Sequence, residues 1–223
     1  MMSKDILDGL RMFGLALVPA LFGIICHEVA HGWIAYKLGD PTAKYLGRLT
    51  LNPIKHIDPV GLGVFAVTAL FMPFAIGWAK PVPVQSRYFK HPREGMVFVS
   101  LAGPVANLLV AFLCALVLKL TYNLEDSGLL TASLPLEIIQ SSAKIGIGIN
   151  CALAWFNLMP IPPLDGSHIV SGLLPASVAD QFQSIGRYGM IIIVLLLSTG
   201  FFGRIIVPLI RQTAKIITTL AGL

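Results

Sequence analysis

Long apolar runs separated by short polar loops set the rhythm of this chain. The first spans about Leu7 to Lys37; as a helix it would be about 45 Å long, more than the roughly 30 Å hydrocarbon core of a bilayer. Gly39-Asp40-Pro41 is a plain helix stop. Further apolar runs occupy about 60–76, 95–120, Leu136 or Ser142 to Met159, and 184–202. The run at 60–76 is broken by Gly61, Gly63 and Pro73, and the run ending at Met159 meets Pro160, Pro162 and Pro163, which cannot continue a helix. Residues 45–52 read as a short strand ended by Asn52-Pro53, and residues 77–85 as a second extended piece. Pro81 and Pro83 remove donors from one edge only, which leaves the Val82 and Val84 amides pairable on the other. The tail from Arg204, with Pro208, Arg211 and Lys215 among Ile and Leu, reads as an interfacial helix or a final span.

Composition places these runs in a membrane. Of 223 residues, 56% are hydrophobic and 12% charged, with mean hydropathy +0.80, far from the soluble average of about a quarter charged. The expected fold is an all-α polytopic membrane protein of about four to six transmembrane helices. A small membrane-embedded β or re-entrant element is expected between the first two core helices. A single domain is expected over 1–223, with its core at about 7–175 and C-terminal helices at about 184–221. Lys4, Asp5 and Asp8 near the start do not resemble a cleaved leader.

Charge then orients the spans. Lys37, Lys44, Arg48 and Lys55 flank the first run, and Lys80, Arg87, Lys90 and Arg93 precede the next long one. The positive-inside rule puts both loops in the cytoplasm, against the weaker pull of Lys4 and Arg11. With both its flanks basic, the run at 60–76 is expected to re-enter on the same side. Residues 121–143 hold Glu125, Asp126 and Glu137 without Lys or Arg, as an outer loop would. The net charge of +5 therefore suits topology, not nucleic-acid binding. Cys26, Cys114 and Cys151 are odd in number, lack a C-x-x-C spacing, and read as packing.

Chemistry concentrates inside the first run, at His27-Glu28-Val29-Ala30-His31. Histidines four apart share one helix face, so both imidazoles can reach one ion, with Glu28 beside them as a general base. This is the spacing of a zinc metallopeptidase. Ionisable groups on one turn of a membrane-length helix mark a functional site. A catalytic zinc takes three protein ligands. The run ending at Met159 returns to the cytoplasmic side, where Asp165 can supply the third. Asn107, deep in the run at 95–120, needs buried partners, and Gly103 beside it reads as close packing. His168 reads as an interfacial group near Asp165, and His56 and His91 as ordinary surface groups. Two other classes stay open: a metal-ion transporter lined by the same groups, and a zinc-retaining, non-catalytic membrane scaffold.

Together, His27-Glu28-x-x-His31, Gly103-x-x-x-Asn107 and Asn157-x-x-Pro160 leading to Leu164-Asp165-Gly166 resemble the site-2 protease family of intramembrane zinc metalloproteases (peptidase family M50). The likeness covers about residues 15–175 and includes the stretches 47–53 and 77–84. It implies one Zn2+ on His27, His31 and Asp165, with Glu28 catalytic and Asn157 near the site. It also implies membrane-embedded strands that hold an extended substrate. Asn107 and Asn157 can donate to substrate or oxyanion, or only brace helices. The expected partners are a transmembrane protein substrate and the lipid bilayer, in regulated intramembrane proteolysis. The expected setting is a multi-pass inner membrane of bacterial or archaeal type, with the active site toward the cytoplasm. PDZ and CBS modules, which carry regulation in that family, are not found in this sequence.

Overall fold

The computed structural model describes residues 2–71 and 80–223. Nine α-helices are found among them: α1 (Met2–Lys37), α2 (Thr42–Tyr45), α3 (Pro59–Phe71), α4 (Pro92–Asp126), α5 (Leu134–Asn157), α6 (Asp165–Leu173), α7 (Ala176–Ser184), α8 (Gly189–Ser198) and α9 (Val207–Leu220). Among the described residues, three helical stretches are long and apolar enough to cross a membrane: Leu7–Lys37, Pro92–Asp126, and Ala176–Ser198, which runs through α7 and α8. A stripe of exposed Val105, Leu109, Leu113, Leu116 and Leu120 along α4 gives this helix a face suited to lipid.

The local signals act where the sequence places them. α1 ends at Lys37, and the next residues close its last turn with Gly39 at φ 109°. α4 opens on Pro92, at a position where a missing N–H costs nothing. α5 stops at Asn157, three residues before Pro160. Pro19 lies inside α1, where it cannot donate to the carbonyl of Leu15; the Ser142 hydroxyl of α5 donates to that carbonyl instead, at 2.9 Å.

α1, α4 and α5 pack against one another to form the core. Between α4 and α5 the contact is made of small or compact side chains, Ala111, Ala115, Ala143 and Cys151, with Leu118 and Ile147. Such residues allow the close helix approach on which membrane bundles depend. α9 joins this cluster through Ile217, so the tail that the sequence left between two readings lies alongside α4 and α5.

The expected strands are corrected. Among the described residues there is no strand: residues 46–52 form turns and bends, and residues 80–85 are extended without a ladder. Gly47 sits at φ 62°, which bends the chain out of strand geometry, and the next residue, Arg48, turns inward. Of the run at 60–76, residues 60–71 lie in α3, which starts at Pro59. Phe65 of α3 meets Phe13 of α1 at a ring separation of 5.8 Å. The return leg expected of a re-entrant element falls on residues 72–79, outside the described residues.

Candidate metal centre

His27 and His31 lie on consecutive turns of α1, their rings perpendicular with centroids 4.5 Å apart. The Asp165 carboxylate, at the first position of α6, comes to them from the far side of the proline-rich turn: its Oδ2 is 3.1 Å from His27 Nε2 and 3.4 Å from His31 Nε2. All three ligand atoms lie within 4.8 Å of one another. Two close approaches make this possible. A Cβ on Gly103 of α4 would lie 2.5 Å from His27 Cε1 and 2.6 Å from His31 Cε1. A Cβ on Gly166 would lie 2.2 Å from the Leu158 carbonyl oxygen, so α6 can seat against the end of α5 only with glycine there.

Hydrogen bonds fix the tautomers. Asn107 of α4 is fully buried, and its Nδ2 donates to the Gly23 carbonyl and to Asn150 Oδ1, both at 3.1 Å. Its Oδ1 therefore faces His27 and accepts from Nδ1–H at 2.7 Å. Asn150, also fully buried, completes the chain by donating to the carbonyls of Pro19 and Gly146. His31 Nδ1–H donates to the Val99 carbonyl at 2.7 Å. Both Nδ1 atoms thus carry protons in the neutral rings, and both Nε2 lone pairs face Asp165. The Asp165 Oδ2 atom is buried and has no hydrogen-bond partner. Three convergent acceptors with nothing to donate between them suit a divalent cation, and two imidazoles with one carboxylate suit zinc.

Glu28 is half-buried and points to neither imidazole's partner; its Oε2 accepts the Val82 N–H at 2.7 Å. The Val82 amide, expected to be pairable, is committed to Glu28. Asn157 ends α5 and donates back to the Leu153 carbonyl at 3.0 Å; no hydrogen bond among the described residues links it to the cluster. Both amide protons of Asn107 are likewise held inside the bundle, as a brace between helices requires.

The remaining histidines divide. His91 is exposed and His168 half-buried on α6. His56 is not a surface group: it is 1% exposed, and its Nε2–H donates to the Thr50 carbonyl at 2.8 Å. Its basic neighbours suggested solvent, but the loop folds the ring back onto its own backbone. Asn150 escaped the sequence reading although its signal equals that of Asn107, a lone amide within an apolar run. Just past α1, burial pushes the Asp40 carboxyl up, but hydrogen bonds from the Thr42 hydroxyl and the Gln85 and Thr42 amides, with Arg87 nearby, outweigh it and hold the group below the usual carboxylate range.

Fold and site together define a helical membrane protein with a buried two-His, one-carboxylate centre and a glutamate beside it. Comparison with known proteins agrees. A profile of Peptidase family M50 matches residues 127–197, which include α5, the proline-rich turn and Asp165. The chain is 39% identical over 212 residues, 92% of each chain, to "Putative zinc metalloprotease YwhC" of Bacillus subtilis. It is 29% identical over 197 residues to the similarly named Rip2 of Mycolicibacterium smegmatis, covering 86% of this chain and 70% of the relative. Against MJ0611 of Methanocaldococcus jannaschii, of the same name, identity is 29% over 162 residues, 71% of this chain and 70% of the relative. No solved structure matches. The chain belongs to peptidase family M50.

Proposed function

We propose that this protein is an intramembrane zinc metalloprotease that hydrolyses peptide bonds in or next to transmembrane segments of other membrane proteins. It would lie as a multi-pass protein in the cell membrane, with the active site toward the cytoplasm. The observation that carries this reading is the convergence of His27, His31 and the unpartnered Asp165 Oδ2 within a bundle in which α1 and α4 are long and apolar enough for a bilayer.

His27, His31 and Asp165 would hold the ion, which when bound lowers the pKa of a water and polarises the scissile carbonyl. Glu28 takes a proton from the attacking water and returns it to the amine nitrogen as the C–N bond breaks. Its Oε2 is held by Val82, which leaves Oε1 for that proton. Asn107 and Asn150 keep His27 in the tautomer that presents Nε2. A helical substrate keeps its backbone in internal hydrogen bonds and has to unwind before attack.

The test is a Glu28→Gln variant reconstituted in vesicles with a transmembrane reporter peptide. Zinc should remain bound while cleavage falls by about 10²- to 10⁴-fold, the range of general-base contributions. Undiminished cleavage would remove Glu28 from the proposed proton transfer, and zinc flux that persists in the variant would sink the protease reading in favour of a transporter.

A further inference from the structure

Residues 47–53 and 80–84 contain no metal ligand and no acid–base group used above, yet the structure ties them to each other and to Glu28. Arg48 is buried, at 7% exposure. Its Nη2 donates to the carbonyl of Lys80 at 2.5 Å and to that of Pro81 at 3.4 Å. The Lys80 N–H donates to the His56 carbonyl at 2.8 Å. Val82 N–H then reaches Glu28 Oε2. Both arms rest on one face of α1 at Gly32, where a Cβ would lie 2.7 Å from Leu49 Cδ2 and 2.8 Å from Val82 Cγ1. Gly32 is one helical turn beyond Glu28.

The Pro81 carbonyl and the Val82 N–H belong to the same planar trans peptide, so they point to opposite sides. Gripping the oxygen on one side aims the hydrogen on the other. Pro81 fixes its own φ, and Pro83 confines Val82 to extended geometry, so little freedom is left between Arg48 and Glu28. No carboxylate among the described residues pairs with Arg48, and its Nε is buried without a partner. A buried guanidinium satisfied only in part by carbonyls is a poor stabilising element. Its contacts serve to place backbone.

We propose that Arg48 is a positioning residue of the reaction: it orients the Pro81–Val82 peptide so that its N–H holds Glu28 with one carboxylate oxygen turned to the water. This rests on the proposed hydrolysis, in which Glu28 moves the proton. The test compares the zinc-loaded full chain with Arg48→Gln and Arg48→Lys variants. It measures kcat and KM on a transmembrane reporter peptide, zinc per chain, and hydrogen exchange of residues 80–85. Arg48→Gln should lower kcat by about 10- to 100-fold, the scale of a small misplacement of a reacting group, with KM and zinc unchanged and faster exchange at Val82. Arg48→Lys, which keeps a donor and the charge, should recover part of the rate. Wild-type kcat, unchanged exchange at Val82, or a joint fall of kcat, zinc and substrate affinity in both variants would overturn the proposal. Should Arg48→Gln lose zinc, Arg48→Lys alone decides by the same criteria. A wild-type protein that cleaves no reporter refutes the protease reading, whereas Val82 exchange still judges the grip of Arg48 on the peptide.

Discussion

On one side of the site, His27 and His31 are held by α1, α4 and α5 through contacts that leave nothing over. Both amide groups of Asn107 and Asn150 are fully paired, and Gly103 admits no added atom against the rings. On the other side, Glu28 is held by one hydrogen bond from an extended stretch, backed by a loop in which Arg48 Nε and His56 Nδ1 remain buried without partners. The contrast separates two tasks. The geometry of the imidazoles is set by packed helices, and the position of Glu28 by two short connections tied to each other through Arg48. Substitutions on the helix side should therefore be read in zinc affinity, and those on the loop side in turnover with zinc retained.

The largest effect expected is from Asp165→Ala, which removes the one proposed ligand outside α1. Purified protein should lose stoichiometric zinc together with all cleavage, and metal analysis finding full occupancy would break the division of labour. Gly103→Ala comes next, because its Cβ would have to displace both imidazoles; zinc affinity in a competition titration should fall by about 100-fold, the upper end for disturbed outer partners. Asn107→Ala should weaken zinc by about 10-fold through loss of the Nδ1 acceptor. Asn150→Ala, one step further out, should act mainly on stability, at about 1–3 kcal/mol for a buried group left unpaired. A larger zinc effect from Asn150 than from Asn107 would contradict the order of the chain.

The smallest effect concerns Asp40, outside the membrane segment. Its folded pKa is lowered, so its contribution to stability is present above the ordinary aspartate value of about 4 and is lost as pH falls below it toward the lowered value. Thermal melts of wild type and Asp40→Asn should differ modestly near neutrality and converge on acidification. A gap that widens in acid would reverse the sign.

Much of this arrangement is legible in the chain because the relevant signals are local and strong. Gly39 and the Pro160 to Pro163 cluster end α1 and α5 by steric rule, and the four-residue histidine spacing puts two ligands on one helix face. Counting spans brings Asp165 to the same side. What sequence does not report is which way a loop side chain turns. Residues 45–52 have the apolar alternation of a strand, but Gly47 adopts positive φ and Arg48 finds carbonyls inside. His56 sits beside Lys55 in a loop read as basic, yet folds under its own loop. These outcomes depend on tertiary partners far along the chain, and period-two patterning contains no information about them.

The contacts at the end of α5 have one more implication. Trp155 Nε1–H donates to Thr213 Oγ1 at 2.9 Å, and Phe156 meets Phe202 at a ring separation of 6.1 Å. Both tethers hold the last turn of α5, within two residues of its end at Asn157 and just before the connection that delivers Asp165. α9, through Thr213, and the turn before it, through Phe202, thereby act as a strut for the connection to Asp165. The aim of that carboxylate therefore depends on residues that follow it in the chain, and the centre is aligned only once Phe202 and Thr213 have docked on α5.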